Sequence, residues 1–189
     1  MDGTVIGNET IFPKGSGIPF YVDTSKILEM TDVHSGPVFI YFGAPGVVFV
    51  DVDGTVADLT HRRVFVATKP KNWPAFEKTI HLDASIQHII DAVRILWKAG
   101  WKVVICTGRG AQNKDKTVDW LEQHGVPFHA IYTRAEKDYR ADNIIKAELL
   151  AQARIDGYDP DVVFDDRNQV VDMWRANGIP CVQVAEGDF

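Results

Sequence analysis

Cysteine is scarce in this chain. There are two in 189 residues, Cys106 and Cys181. So few thiols exclude a disulfide scaffold. With no Cys-x-x-Cys, and six histidines that do not cluster, a thiolate or imidazole zinc centre has no ligand set. Both cysteines sit in strand-like runs, Val-Val-Ile-Cys and Cys-Val-Gln-Val, and read as buried, reduced thiols of a cytoplasmic protein. Long hydrophobic runs are missing as well. No stretch approaches the ~20 apolar residues of a membrane span. Met1-Asp2-Gly3-Thr4 carries no basic segment ahead of an apolar one, so no secretory leader is expected. Positive charge is in deficit: 20 Lys and Arg against 26 Asp and Glu leave a net charge of −6. That argues against a broad, sequence-independent nucleic-acid surface but permits a local basic cluster that grips one strand end. A complete triphosphate loop is also absent. Lys14-Gly15-Ser16-Gly17 and Gly43-Ala44-Pro45-Gly46 both stop short of Gly-x4-Gly-Lys-Ser/Thr.

What is present suits one α/β domain with an appendage: 46% of the residues are apolar, enough for a real core. The organising stretch is Val47-Val48-Phe49-Val50-Asp51-Val52-Asp53-Gly54-Thr55. A short β-branched run that breaks into two carboxylates and a glycine reads as a buried parallel strand. Open α/β sheets place their chemistry at the carboxyl ends of such strands. Two carboxylates this close require a cation between them, or one retained proton.

Residues 1–46 read as a small β-rich arm of unknown role, packed on the main domain or on another subunit, which would make a homo-oligomer. Beyond the central strand, Asp58 to Asn72 reads as a polar loop carrying His61-Arg62-Arg63. Trp73-Pro74-Ala75-Phe76 reads as a short helix with proline in its first turn. Ile86, Ile89, Ile90, Val93, Leu96 and Trp97 recur at helical spacing, with Asp83 or Ser85 as cap and Gly100 as stop. A strand from Trp101 to Cys106 should end at Thr107-Gly108-Arg109-Gly110. A helix with Val118 and Leu121, a short strand from His129 to Tyr132, and a helix from near Asp142 to about Arg154 follow. Asp161 to Phe164 reads as a strand ending at Asp165-Asp166-Arg167, then a helix with Val170, Val171 and Trp174 leads to a last strand from Cys181 to Val184. Strands alternating with helices imply a parallel sheet covered on both faces.

Right-handed crossovers bring Asp51/Asp53, Thr107 and Asp165/Asp166 to one sheet edge. Taken singly, each has a bland explanation. Asp165-Asp166 would cap the next helix, Asp142 and Lys146 would be a surface i,i+4 pair, and Thr107-Gly108 would be a turn. In this order, with Lys146 on the helix between, they resemble the haloacid dehalogenase superfamily of phosphotransferases. The matching residues are Asp51-Val52-Asp53-Gly54-Thr55, Thr107, Lys146 and Asp165-Asp166. The resemblance implies a haloacid-dehalogenase-like (Rossmannoid) three-layer sandwich over 47–189, with a central parallel sheet and a minimal cap. It also implies Mg²⁺ as cofactor. A phosphomonoester carries about two negative charges near neutral pH, which must be neutralised before a carboxylate can attack. Mg²⁺ on Asp51, Asp165 and a backbone carbonyl near Asp53, with Asp166 binding directly or through water, would do so. Lys146 adds a positive charge, and the Thr107 hydroxyl and loop amides, including Gly108, donate to phosphoryl oxygens. Asp51 is the implied nucleophile, and Asp53 the acid and then base.

The stretch from Phe164 to Arg175, and the terminus Gln183 to Phe189, are similar to the phosphatase half of the bacteriophage polynucleotide kinase-phosphatase family. That family removes 3′-phosphates from nucleic-acid ends. Its further functional positions fall on Arg62 (Arg63 is adjacent), Arg109 and Asp142. The arginines are implied to bind phosphate and Asp142 to hold Lys146 in place. No kinase half is present in the sequence, and the segment between Asp53 and Thr107 is short of a full cap. Trp73 and Phe76 would either stack on a base or pack that segment onto the core. The expected activity is therefore Mg²⁺-dependent removal of 3′-phosphate from nucleic-acid ends, in the cytoplasm of a host cell if phage-encoded. The alternatives are a phosphatase of free nucleotides or other small esters, and a binding module built on an inactive phosphatase fold.

Overall fold

The computed structural model describes residues 45–67 and 69–187 in full and, before them, the backbone of five strands. Strands β1 (Thr4–Ile6), β2 (Glu9–Pro13) and β3 (Pro19–Asp23) form an antiparallel sheet, and β4 (Ile27–Asp32) and β5 (Gly36–Tyr41) form a hairpin. The Lys14–Gly17 stretch lies outside the described residues.

The elements that follow are β6 (Val47–Val50), β7 (Ala57–Asp58), α1 (Thr60–Arg63), α2 (Trp73–Lys78), β8 (Ala84–Ser85) and α3 (Gln87–Lys98). Then come β9 (Lys102–Gly110), α4 (Lys114–Gln123), β10 (Ala130–Arg134), α5 (Asp142–Ile155), β11 (Val162–Asp165), α6 (Asn168–Ala176) and β12 (Cys181–Gln183). Five of these strands make one parallel sheet in the order β10-β9-β6-β11-β12. The chain builds β9 and β10 to one side of β6, then crosses to lay β11 and β12 on the other. The order therefore reverses beside β6, and the crevice outside the carboxyl ends of β6 and β11 is the topological switch point where such sheets hold ligands.

Side-chain alternation explains the layers. Val48 and Val50 of β6, Val103 and Ile105 of β9 and Phe164 of β11 point into a core shared with Ile89, Ile90, Val93 and Leu96 of α3 and Trp120 and Leu121 of α4. Phe49, Val104, Cys106 and Val163 point to the other face, against Leu150 and Ala153 of α5 and Val170, Val171 and Trp174 of α6. Both faces are covered, so the strands read as continuous apolar runs rather than alternating ones. The structural class is the α/β sandwich with a central parallel sheet that the motifs imply. Gly100 and Gly125 follow α3 and α4 at φ +89° and +62°, a backbone conformation that only glycine adopts without strain.

Several local expectations change. The polar loop after Asp58 contains a helical turn, α1. Helix α3 has no side-chain cap; Ile86 precedes it and Ser85 lies in β8. Asp83 is not a cap because its carboxylate is turned inward to two arginines. Strand β9 runs on through Gly110, past the expected end, because β10 pairs along it and shifts register to set Arg134 opposite Gly110. Cys106 and Cys181 are buried free thiols, as expected.

Candidate active site

Asp51 is the first residue after β6, and its N–H donates to the Phe164 carbonyl at 3.0 Å, which ties the ends of β6 and β11 together. Asp165 closes β11. Lys146 lies on the buried face of α5. Its Nζ donates to Asp51 Oδ1 at 2.7 Å and to Asp165 Oδ2 at 2.7 Å. Trp174 Nε1 of α6 donates to the same Asp165 oxygen at 3.1 Å. Helices on one face of the sheet thus hold the cation and orient the carboxylate.

Asp166 completes the group. Asp51, Asp165 and Asp166 each present an oxygen within 4.8 Å of the others, and all three are buried. The Asp166 backbone is fixed by Gln183, whose Nε2 donates to its carbonyl at 2.8 Å. Its Oδ2 is buried with no hydrogen-bond partner. That carboxylate occupies the space over Gly54, where a Cβ would come within 2.2 Å of Oδ2. Gly54 also has φ +88°, so the turn after Asp53 requires glycine on both counts.

The electrostatics of the cluster are unbalanced. Three carboxylates surround one ammonium. Burial, aided by Asp165 and Asp166 and opposed by Lys146, pushes Asp51 up to about 8. Burial and the Asp165 charge push Asp166 up to about 7. Burial works against the Lys146 charge, but Asp165 and Asp51 outweigh it and hold the ammonium above its ordinary value. An orphaned buried carboxylate oxygen, excess negative charge and a wholly oxygen donor set fit a hard divalent cation. The residues that could hold it are Asp51, Asp165 and Asp166. Asp53 is expected to reach the ion through a backbone carbonyl near it, and its side chain is turned to Arg62 and Arg109 instead of joining the three acids.

Asp53 Oδ1 accepts from Arg62 Nη2 at 2.5 Å and from Arg109 Nε and Nη2 at 3.0 and 2.6 Å. Burial opposes its charge, yet Arg109 and Arg62 hold the carboxyl below the ordinary range. Both arginines are buried, and both also bond Asp83. Their donors are divided between Asp53 and Asp83. Arg62 keeps one buried nitrogen, Nη1, without a partner. The Arg62 guanidinium lies over the Phe76 ring, 4.1 Å from its centroid. Phe76 therefore packs, while Trp73 meets it edge-on and stays 45% exposed.

Thr107 is buried within β9, and its Oγ1 accepts from the Arg109 N–H at 3.2 Å. Gly108 faces Asp142: a Cβ there would lie 3.1 Å from Asp142 Oδ1. Asp142 does not hold Lys146 as expected. Its carboxylate takes Arg134 and Arg167, and Lys146 is held by Asp51 and Asp165. Asp51, Asp53, Arg62, Arg109, Lys146 and Asp166 border a cleft of about 1310 Å³, whose walls include Trp73 and Phe76 and the loop from Arg134 to Asp142. Asp83 is the residue that sequence reasoning missed. It lies next to a strong amphipathic pattern, which suggested a cap, and its partners are 21 and 26 residues away.

Among known proteins, residues 45–189 match the family model of the polynucleotide kinase PNKP phosphatase domain. A protein of Autographa californica nuclear polyhedrosis virus, provisionally named a bifunctional polynucleotide kinase/RNA ligase, is 27% identical over 140 residues, which are 73% of this chain and 19% of that protein. A chain in the structure of the Pnkp1/Rnl/Hen1 RNA repair complex is 30% identical with a TM-score of 0.66, covering 92% of this chain and 51% of that one. A second structure of that complex gives 32% identity and the same score over 78% of this chain and 48% of that one. The chain thus spans about half of these solved relatives and a fifth of the viral one. A class C acid phosphatase of Bacillus anthracis, 18% identical with a TM-score of 0.53 over 77% of this chain and 68% of its own, shares the fold. No helix among the described residues is long and apolar enough to cross a membrane.

Proposed function

The chain belongs to the family of polynucleotide kinase PNKP phosphatase domains, and from that premise we propose that it is a Mg²⁺-dependent phosphomonoesterase that removes the 3′-phosphate from nucleic-acid ends through an aspartyl-phosphate. The observation that carries this reading is the meeting of Asp51, Asp165, Asp166 and Lys146 at the sheet's switch point, with three carboxylates around one buried ammonium.

Asp51 Oδ attacks phosphorus; the Asp51 O–P bond forms and the bond to the leaving 3′-oxygen breaks. A Mg²⁺ ion held by Asp51, Asp165 and Asp166 would neutralise the phosphoryl charge and the repulsion among these acids. Lys146, held over Asp51 and Asp165, supplies a fixed positive charge on the same side. The Thr107 hydroxyl and the Gly108 amide, on the adjoining strand β9, would donate to phosphoryl oxygens. Asp53 hands a proton to the leaving oxygen, and in the second step takes one from the water that attacks the aspartyl-phosphate. Arg62 and Arg109 keep Asp53 ionised in the free protein. A phosphate dianion drawn up beside it raises the carboxyl's proton affinity, which favours the acid form when a substrate is present. The cleft's exposed Trp73, together with Lys71 nearby, suits a polymer end rather than a bare ion.

The test is phosphate release, with Mg²⁺ and with chelator, from one oligonucleotide phosphorylated at its 3′ or its 5′ end and from free 3′- and 5′-nucleotides. Metal-dependent release mainly from the 3′-phosphorylated oligonucleotide is expected. Release mainly from free nucleotides would retire the end-processing reading while keeping the Asp51 chemistry.

A further inference from the structure

The turn that carries Asp166 lies just beyond the sheet, and the last strand holds it there. The ladder between β11 and β12 pairs Asp165 with Gln183, and beyond that pair the Val184 N–H donates to the Asp165 carbonyl at 3.0 Å. Gln183 is buried, and its side chain reaches past the end of β11. Its Nε2 donates to the Asp166 carbonyl at 2.8 Å and to Asn168 Oδ1, at the start of α6, at 2.6 Å. One amide nitrogen therefore bridges the two residues that flank Arg167. Gly187, four residues further on, packs against the same turn. A Cβ there would lie 2.5 Å from the Asp166 carbonyl oxygen and 2.6 Å from the Arg167 Cα. Both contacts to Asp166 are made at its backbone. Its carboxylate stands with Asp51 and Asp165, and Oδ2 is buried without a hydrogen-bond partner.

We infer that Gln183 is a positioning residue for the metal: it fixes the Asp166 backbone so that the carboxylate is aimed at the cation it shares with Asp51 and Asp165. This rests on the Mg²⁺ site of the phosphatase reading above. A carboxylate on a turn has no strand ladder to hold it. A ligand that must be ordered at the moment of binding costs conformational entropy, and that cost weakens the site. The residue type matters as well. An amide nitrogen donates twice and carries no charge. A lysine or arginine in this place would pair with the orphaned Asp166 oxygen and compete with the cation for it. A neutral donor holds the turn and leaves the ligand open.

The experiment compares the full chain with Gln183→Met, which keeps the length of the side chain and removes its donors. Mg²⁺ is titrated into each by calorimetry, and melting temperature is read in chelator and in Mg²⁺. Phosphate release from a 3′-phosphorylated oligonucleotide is followed across Mg²⁺ concentrations. Removing a group that orients a metal ligand typically weakens metal binding about 10- to 100-fold. Gln183→Met should therefore bind Mg²⁺ more weakly by that factor. The Mg²⁺ concentration for half-maximal activity should rise in step, while KM for the oligonucleotide at saturating Mg²⁺ stays within about twofold of wild type. A lower melting temperature in chelator with Mg²⁺ affinity within about twofold of wild type would mean that Gln183 only braces the start of α6, and would overturn the inference. Should Gln183→Met not fold, Gly187→Ala presses on the same carbonyl from the tail. A loss of Mg²⁺ affinity is again expected, and an unchanged affinity overturns the inference. A wild-type protein that binds no Mg²⁺ removes the metal site and this inference together. Mg²⁺ binding without phosphate release from any substrate retires the phosphatase reading alone, and the affinity comparison still decides this one.

Discussion

Replacing Asp51 by Asn should abolish turnover and, in the same protein, stabilise the metal-free fold. The two effects have one cause. Asp51 is 5% exposed and shares Lys146 with Asp165, while Asp166 stands beside both. Burial and the neighbouring carboxylates outweigh the ammonium, so ionising Asp51 is unfavourable in the fold although it is free in the unfolded chain. Each pKa unit of such a rise corresponds to about 1.4 kcal/mol. A rise of one or two units gives about 1–3 kcal/mol of destabilisation near pH 7.5. Asn has nearly the same shape, its Oδ1 still accepts from Lys146, and it carries no charge in either state. At roughly 2–4 °C per kcal/mol for a chain of this size, the melting temperature in chelator should rise by about 2–12 °C. The same substitution deletes the nucleophile, so phosphate release should fall by at least about 10⁴-fold. The assay is scanning calorimetry in chelator alongside phosphate release with Mg²⁺. A lower melting temperature would mean that Asp51 is a net stabilising partner of Lys146, and activity within tenfold of wild type would mean that it is not the nucleophile.

Other perturbations have definite signs. Lys146→Met leaves the three acids with no buried cation; it should destabilise by about 3–5 kcal/mol in chelator, recover part of that in Mg²⁺ by calorimetry, and lose at least about 10²-fold in activity. Gly54→Ala puts a methyl group against Asp166 Oδ2 at a positive φ; a loss of about 2–4 kcal/mol in denaturant melts, and a weakened response to Mg²⁺, is expected. Metal-free protein should also lose stability as pH rises. Asp51 and Asp166 hold protons up to about 8 and about 7 in the fold, whereas the unfolded chain releases them near 3.8, so between those values the native state binds more protons and stability falls with pH. Melting temperature in chelator should therefore be lower at pH 8 than at pH 5.5, and Mg²⁺ should raise it more at pH 8; an equal gain at both would show that the acids do not titrate as the geometry implies.

The parts of this molecule that were legible in the sequence are those with short-range causes. The strand β6 announced itself by an apolar run closed by Asp51-Val52-Asp53-Gly54, because a strand covered on both faces has no polar side to interrupt it. Helix α5 was readable to within a residue or two at each end. The order of Asp51, Thr107, Lys146 and Asp165 along the chain implied a common sheet edge, since parallel strands joined by helices must end on the same side. Long-range polar pairing was not legible. Asp83 looks like a cap from its neighbours and becomes an internal counter-ion only when α1 and β9 are folded beside it. Asp142 sits one helical turn before Lys146 and was read as its partner, but Arg134 and Arg167 approach from β10 and the start of α6 and take it first. The extension of β9 past Thr107 likewise depends on β10 lying alongside, and no local pattern in 107–110 encodes it.

The central claim, that Asp51 attacks phosphorus, is tested most directly by acid-quenching a single turnover of an oligonucleotide carrying a radiolabelled 3′-phosphate. The account predicts label on the protein within the reaction's lifetime, in a peptide containing Asp51, released by hydroxylamine and absent from Asp51→Asn. Full phosphate release with no labelled protein at any quench time, from a wild-type enzyme that turns over, would contradict it.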